Sequence, residues 1–112
     1  QDYMHEAAKI ATIARRPLGI GITNLAYFLA KRDLKYNDDA LETIDEYAEA
    51  WSYYLIKASV DLAYEKGACP LSSETKYHYG IVPLDTYKKS VNDLVKRKPK
   101  YDWAGLRIEL SD

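Results

Sequence analysis

The stretch RPLGIGITNLAYFLAK, residues 16–31, is the most informative part of the sequence. Residues 18–22 are apolar apart from two glycines, a composition that predicts a short buried strand or a tight turn. Apolar residues then recur at helical spacing over residues 25–29, which predicts an amphipathic helix. Thr23 or Asn24 can cap that helix at its start.

Residues 40–66 give the strongest helix prediction in the chain. Neither Pro nor Gly occurs there, and apolar residues recur at alternating steps of three and four over about six turns, which makes one continuous apolar face. We call this face the predicted stripe, and its members are Leu41, Ile44, Ala48, Trp51, Leu55, Ala58 and Leu62. Asp38 or Asp39 is a suitable N-cap, and Gly67 is placed to end the helix as a left-handed cap.

Shorter elements are predicted on both sides of this helix. The alanine-rich residues 5–14 favour a helix, which Pro17 interrupts because proline disfavours helix at the residue before it. Residues 68–80 have mixed polarity and predict a loop, and residues 81–84 predict a short extended segment.

Two more helices are predicted towards the end of the sequence. Asp85 or Thr86 can cap the first of them, which runs through about Val95. The basic residues 96–100 predict a solvated connector. Asp102 then caps a last helix, whose apolar residues are Trp103, Leu106 and Leu110.

Composition limits the class of protein. The 112 residues allow one domain at most. Sixteen basic residues against 17 acidic ones give a net charge of -1, which is no electrostatic reason to expect nucleic acid or an anionic membrane as a partner. No apolar run approaches the roughly 18 residues needed to span a bilayer, and no signal-peptide pattern is visible. A single cysteine excludes an internal disulfide and a multi-cysteine metal site. We therefore expect a cytoplasmic protein.

Four stretches resemble, in the same order, the barrel of the class I ribonucleotide reductase large subunit, and its phage or bacterial versions in particular. They are residues 16–31, then GACP (67–70) with ETKY (74–77), then GIVPLDTYKK (80–89), and finally YDW (101–103) with Leu106 and Arg107. The resemblance implies a ten-stranded α/β barrel in the whole subunit. Residues 1–112 would form a partial barrel domain, a mainly α fragment that supplies one or two strands and several outer helices. The sequence also starts at Gln and stops within a predicted helix, so we expect an excerpt of a longer protein or one part of a split gene.

The resemblance also implies a function for the parent subunit. That subunit would reduce ribonucleoside diphosphates to deoxyribonucleoside diphosphates, with a radical generated in a small partner subunit and with thioredoxin or glutaredoxin as the reductant of its cysteines. This segment would be scaffolding for the remainder of the large subunit. We predict that it contains no catalytic, cofactor-binding or metal-binding residue and holds no cofactor.

Two short motifs are similar to nucleotide-binding sequences. Gly19-Ile20-Gly21 could begin a dinucleotide fingerprint, because glycines let backbone amides approach a pyrophosphate, but Asn24 stands where the third glycine belongs. Close packing of a barrel strand or its turn explains these glycines better. Ser73-Glu74-Thr75 is similar to the family's diphosphate loop, yet the residues after it align with an earlier segment, so that loop is expected downstream of Asp112.

A thiol and a tyrosine pair are the candidates for radical or nucleophilic chemistry. The family needs a thiyl-forming cysteine, a redox-active cysteine pair, and a nearby Glu and Asn, which Cys69 alone cannot supply. We interpret Cys69 as a packing residue. Tyr53-Tyr54 is similar to the adjacent tyrosines that carry the radical through the large subunit, but that pair is expected downstream of this segment. We predict that one of the two tyrosines packs and the other reaches solvent.

Histidines and carboxylates are the remaining candidates. His5 and His78 are far apart in sequence, and no carboxylate lies at ligand spacing from them, so a metal site is not expected. Four acidic residues of the long helix lie off the predicted stripe and are interpreted as a solvated face. They are Asp45, Glu46, Glu49 and Asp61.

An alternative function belongs to a different class. The chain could be a stand-alone helical interaction module that binds a partner helix through the predicted stripe. Residues 18–22 discriminate between the two functions, because a self-contained helical bundle has no use for a buried strand rich in glycine.

Overall fold

A helix of 26 residues, α3 (Leu41–Lys66), runs through the middle of the chain. The computed structural model describes residues 2–88, 90, 93, 94 and 96–112. Among the described residues, the further α-helices with assigned bounds are α1 (Glu6–Arg15), α2 (Leu25–Ala30) and α4 (Trp103–Ser111). Single turns of 3-10 helix occur at Asp38–Ala40, Ser72–Glu74, Tyr77–Tyr79 and Pro83–Asp85.

The predicted helices α1, α2, α3 and α4 are confirmed, but the predicted N-caps of α2 and α3 are wrong. A 3-10 turn precedes α3, so the capping side chain lies upstream of the predicted aspartates, and Asn37 Oδ1 accepts the Asp39 N–H at 3.2 Å. Asn24 precedes α2 with a left-handed backbone (φ 67°), and its side chain makes no capping bond. A side chain caps a helix from a residue with extended backbone, so the left-handed Asn24 cannot act as the predicted cap.

Helix α3 ends at the predicted residue Gly67, and α4 begins after the predicted cap Asp102. Gly67 ends α3 with a positive φ of 83°, but its ψ of 145° is not that of the left-handed cap that was predicted. Asp102 caps α4 as predicted, since its Oδ1 accepts the Gly105 N–H at 2.9 Å.

Residues 18–22 do not form the predicted strand within the part of the chain that the structure describes. They have no regular secondary structure and are exposed to solvent. A strand satisfies its backbone groups through neighbouring strands, and the described residues supply none here. Residues 18–22 are therefore an exposed segment without regular structure.

The helix predicted after a cap at Asp85 or Thr86, through about Val95, is described only in part. Asp85 belongs to the 3-10 turn Pro83–Asp85, residues 86–88 are not helical, and Ser90 is helical. Residues 89, 91, 92 and 95 lie outside the described residues.

The core lies between α3, α4 and the segment around Val82. Its buried apolar members are Ile56, Val60, Val82, Trp103 and Leu106. On α3 these contacts come from the line 49-53-56-60, which lies about 140° around the helix from the predicted stripe at 100° per residue. The predicted stripe is therefore not the face that packs within this chain: Trp51 is half-buried and Leu62 is 50% exposed. The helix carries two apolar faces, and α4 covers only one of them.

The N-terminal region attaches to the rest of the chain through a few polar contacts. The Leu71 N–H donates to the Ala14 carbonyl at 3.0 Å, and the Arg16 guanidinium donates to the Gly67 carbonyl at 3.1 Å. No residue of α1 is buried, and Ile10 on this helix is 62% exposed. Across the described residues, no helix combines the length and the hydropathy needed to cross a membrane.

Candidate functional site: a buried carboxylate between α3 and α4

Glu49 is the one charged residue with a buried side chain among the described residues, with a relative exposure of 7%. Its Oε1 atom accepts the Lys100 N–H at 2.7 Å, the Tyr101 N–H at 3.2 Å and the Trp103 indole N–H at 3.0 Å. Its Oε2 atom lies 2.5 Å from Arg97 Nη2. The prediction that Glu49 belongs to a solvated face is wrong. Its partners lie about 50 residues further along the chain, so the periodicity of the helix could not indicate them.

Arg97 joins this carboxylate to a second one. Its Nε donates to Asp45 Oδ2 at 2.9 Å, and its Nη2 lies 2.8 Å from the same oxygen. The Arg97 side chain is only 12% exposed, so the prediction of a solvated connector over residues 96–100 is wrong at this position. Asp45 is half-buried, whereas Glu46 is exposed as predicted.

Burial and hydrogen bonding have opposite effects on the pKa values of Glu49 and Arg97. Burial by itself would raise the pKa of Glu49, but the hydrogen bonds from Trp103, Arg97 and two backbone N–H groups outweigh it, so the pKa is lowered from 4.5. Burial would likewise lower the pKa of Arg97, and its bonds to Glu49 and Asp45 raise it overall. The pair is therefore held in its charged form.

Aromatic side chains cover one side of the buried carboxylate. The Tyr53 ring stacks on Tyr101 with centroids 4.9 Å apart, and it meets the Trp103 ring edge-on at 5.4 Å. Tyr54 meets the edge of Tyr101 at 5.3 Å but remains 59% exposed. The prediction that one of the adjacent tyrosines packs and the other reaches solvent is thus confirmed. Such pairs add to the energy of area burial and fix the approach of α4 to α3.

A second set of contacts attaches the segment around Val82 to α4. Arg107 forms a bidentate pair with Asp85, with Nη2 2.9 Å from Oδ1 and Nη1 bonded to Oδ2. The same guanidinium donates to the Gly80 carbonyl at 2.9 Å, and Asp85 Oδ2 accepts the Val82 N–H at 2.9 Å. The Arg107 bond is the main cause of a lowered pKa at Asp85.

Lys57 forms a third, more exposed bridge between the two helices. Its Nζ lies 2.6 Å from Asp61 on α3 and 2.9 Å from Glu109 on α4. Hydrogen bonds to these two carboxylates raise the pKa of Lys57. Asp61 is exposed as predicted, but it is part of this bridge rather than an isolated solvated charge.

The chemistry of this cluster is that of a structural junction. A general base needs a carboxylate oxygen that can reach a substrate proton, whereas Glu49 Oε1 already accepts three N–H donors and Oε2 lies buried beside Arg97 Nη2 at 2.5 Å. Arg97 and Arg107 likewise direct their donors towards carboxylates and carbonyls of the same chain. These groups position α4, and apart from the predicted cap at Asp85 no local sequence pattern indicates them.

The structure does not bring the sequence candidates for chemistry together. Cys69 is a free, half-buried thiol in the segment after α3. Thr75 Oγ1 bonds within its own turn, to the Ser72 carbonyl at 2.6 Å. His5 precedes α1, and His78 lies against the Tyr79 ring. Among the described residues, no group of three or more His, Cys, Asp or Glu side chains is arranged to hold a metal ion.

The sequence of this chain was compared with models of known protein families. Residues 1–112 match the family model described as the ribonucleotide reductase barrel domain. The chain belongs to the ribonucleotide reductase barrel-domain family. The resemblance in the sequence is thereby confirmed, and a mainly helical chain fits a fragment of such a barrel.

Relatives of this barrel-domain chain are much longer than the chain itself. It is 46% identical to the ribonucleoside-diphosphate reductase subunit alpha of Haemophilus influenzae, over 100% of the chain and 15% of the relative. It is 47% identical to the ribonucleoside-diphosphate reductase 1 subunit alpha of Escherichia coli, over 96% of the chain and 14% of the relative. The subunit alpha of Enterobacteria phage T4 is 41% identical over 86% of the chain and 13% of the relative. The chain thus spans about a seventh of the length of these relatives.

Proposed function

We propose that this chain is a scaffolding segment of the large subunit of a ribonucleoside-diphosphate reductase. The observation that carries the proposal is the match of the barrel-domain model to all 112 residues, together with the small share of each relative that the chain covers. The parent subunit would reduce ribonucleoside diphosphates by radical chemistry in the cytoplasm. Its partners would be a small subunit that generates the radical and a thioredoxin or glutaredoxin that reduces its cysteines.

The proposed contribution of this segment is mechanical. The Glu49–Arg97 pair and the Asp85–Arg107 pair hold α4 and the segment around Val82 against α3. A fixed unit of this kind can support barrel strands that carry reactive groups contributed by other parts of the subunit. The segment itself would supply neither a catalytic residue nor a cofactor ligand.

Residues 18–22 are the proposed barrel strand of this segment. They are apolar, they carry no regular structure in the chain by itself, and they lie in the stretch that most resembles the family. A strand at this position would complete its hydrogen bonds with strands of the remaining subunit.

Two measurements test the proposal. The full-length subunit that contains this segment, mixed with its small subunit, is assayed for reduction of ribonucleoside diphosphates, and the 112-residue chain is titrated with the same nucleotides by calorimetry. We expect turnover by the complete enzyme and no micromolar binding to the chain. Micromolar affinity of the chain for a nucleotide would contradict the scaffolding role.

The alternative of a helical interaction module is tested by the same materials. It draws support from the predicted stripe, of which Leu62 is 50% exposed and Trp51 half-buried. A complete subunit without reductase activity, together with a chain that binds helical peptides through this face, would favour the alternative.

A further inference from the structure

We propose that Arg16 is a latch between two parts of the chain: its side chain fastens the end of α1 to the loop that follows α3, and its release lets α1 move away as a unit. The latch is a conformational device, because it has a closed state with the bond and an open state without it. The inference goes beyond the proposed function and does not depend on reductase activity.

The first observation is a backbone conformation that arginine seldom adopts. Arg16 follows α1 directly, and its φ of 46° and ψ of 47° lie in the left-handed region. Glycine is the usual residue at this position after a helix, because a Cβ atom there comes too close to the following carbonyl oxygen. Among the described residues, the other non-glycine residues with positive φ are Asn24 and Asp33, whose short polar side chains suit this conformation. Strain that persists in a folded protein has to be offset by other contacts.

The second observation is the contact that the Arg16 side chain makes. Its Nη1 atom donates to the Gly67 carbonyl at 3.1 Å, across 51 residues of sequence, and Gly67 is the residue at which α3 ends. The Arg16 backbone N–H still donates to the Thr12 carbonyl at 2.6 Å, so the residue remains attached to α1. A glycine could make this backbone bond without strain, but it could not make the side-chain bond. The bond to Gly67 is therefore the favourable contact that offsets the strain.

The third observation is that residues next to the latch bind the same loop. The Ala14 carbonyl accepts the Leu71 N–H at 3.0 Å, and Arg15 Nη2 lies 3.7 Å from Glu74 Oε2. In the described part of the chain, these two contacts and the latch are all the hydrogen bonds and ion pairs that join residues 2–16 to later residues. They lie at one end of α1, a helix that has no buried residue.

The position of these contacts lets the latch open without unfolding the core. A region with few buried apolar contacts opens at a lower free energy than the core of the same protein. The core lies between α3, α4 and the segment around Val82, and none of the three contacts involves its residues. Because Pro17 follows the latch with a fixed φ, the closed state also sets the direction in which the chain continues after α1.

Two substitutions in the full-length subunit separate the strain from the bond. Arg16→Ala removes the bond and keeps the strain, whereas Arg16→Gly removes both. Asp33→Gly is the matched control, since Asp33 also has a positive φ, of 54°, and is exposed. Hydrogen exchange of the Leu71 amide, which donates to the Ala14 carbonyl, reports whether the latch is closed.

We expect the Leu71 amide and the amides of α1 to exchange about tenfold faster in both Arg16 variants. The amides of Ile56 and Val60 in α3 should keep their rates, and Asp33→Gly should leave the Leu71 rate unchanged. A wild-type rate in Arg16→Gly would show that the bond is not what holds α1, and it would overturn the proposal. Faster exchange in α3 as well as in α1 would also overturn it, because the core would then be opening.

The wild-type subunit decides if neither variant folds. The amides of α1 should then exchange faster than those of Ile56 and Val60, since α1 opens separately. Equal rates for the two helices would overturn the proposal. A wild-type subunit without reductase activity would contradict the proposed function, while the exchange data would still report on the latch.

Discussion

The indole N–H of Trp103 donates to Glu49 Oε1 at 3.0 Å, although 54 residues separate the two in sequence. The bond joins the start of α4 to the middle of α3 and lies within the buried core. Arg97 contacts the other carboxylate oxygen at 2.5 Å. The Glu49 side chain therefore connects α3 both to Arg97 and to the start of α4. The following predictions concern this junction and the residues around it.

Glu49→Ala should destabilise the folded subunit by about 3–5 kcal/mol. Removal of one partner of a buried pair leaves the other charge uncompensated, and here the Trp103 indole also loses its acceptor. Urea melts of the full-length subunit measure the change. Glu46→Ala, at an exposed position of the same helix, is the control and should stay within about 0.5 kcal/mol. Equal effects of the two substitutions would contradict the junction.

Glu49 should also make stability depend on pH in the acid range. Its pKa is lowered in the folded state from 4.5, so its contribution is fully present above pH 4.5 and is lost as the pH falls through the folded value. The stability difference between wild type and Glu49→Gln should therefore be constant from about pH 7 to pH 5 and narrow below pH 4.5. Melts at a series of pH values measure it, and a difference that stays constant down to about pH 2 would show that Glu49 does not titrate as inferred.

Arg107→Lys should lower stability by about 0.5–1.5 kcal/mol. A lysine cannot reproduce the bidentate pair with Asp85 and the bond to the Gly80 carbonyl at once, while partial exposure of the pair limits the loss. Lys9→Ala is the control, since its contact with Glu6 is 4.0 Å long and exposed. The comparison uses denaturant midpoints, and an unchanged midpoint for Arg107→Lys would rule out a structural role for the bidentate geometry.

Cys69→Ser should change turnover of the complete enzyme by less than tenfold, which corresponds to roughly 1.4 kcal/mol. The thiol is half-buried in the segment after α3, and our interpretation gives it no part in the chemistry. Steady-state kinetics with the matched small subunit provide the measurement. A larger loss at unchanged stability would place Cys69 in the reaction.

Trp51→Ala should cost about 3–5 kcal/mol in the assembled subunit. Trp51 is only half-buried in the chain by itself, so this value requires that other parts of the subunit cover the predicted stripe. Denaturant melts decide, and Ser59→Ala, at an exposed position of α3, is a suitable control. If the midpoint is unchanged, the stripe is a free surface, and the interaction module becomes the better hypothesis.

Local signals in the sequence predicted the helices well. Alanine content, apolar spacing and the absence of Pro and Gly are properties of consecutive residues, and they located α1 and α3 nearly to the residue. Asp102 was predicted as a cap for the same reason, because its partner is the Gly105 N–H three residues away.

Pairings between distant residues could not be predicted in this way. Glu49 looks like any exposed helical glutamate until residues 97–103 fold back on it. The buried face of α3 was missed for a related reason: Glu49 interrupts its apolar pattern, whereas the predicted stripe on the other side is uninterrupted. The resemblance identified the family, but it did not identify the residues of the junction.

The position of the Glu49 partners also sets an order of events during synthesis. Helix α3 is complete at Lys66, but the backbone N–H groups, the guanidinium and the indole that bind Glu49 lie between residues 97 and 103. At about 5–20 residues per second on the ribosome, roughly 2–10 seconds pass between the appearance of the carboxylate and that of its donors. During this interval the face of α3 that later packs against α4 is uncovered and Glu49 has none of these donors, so the junction can form only after residue 103 has been synthesised.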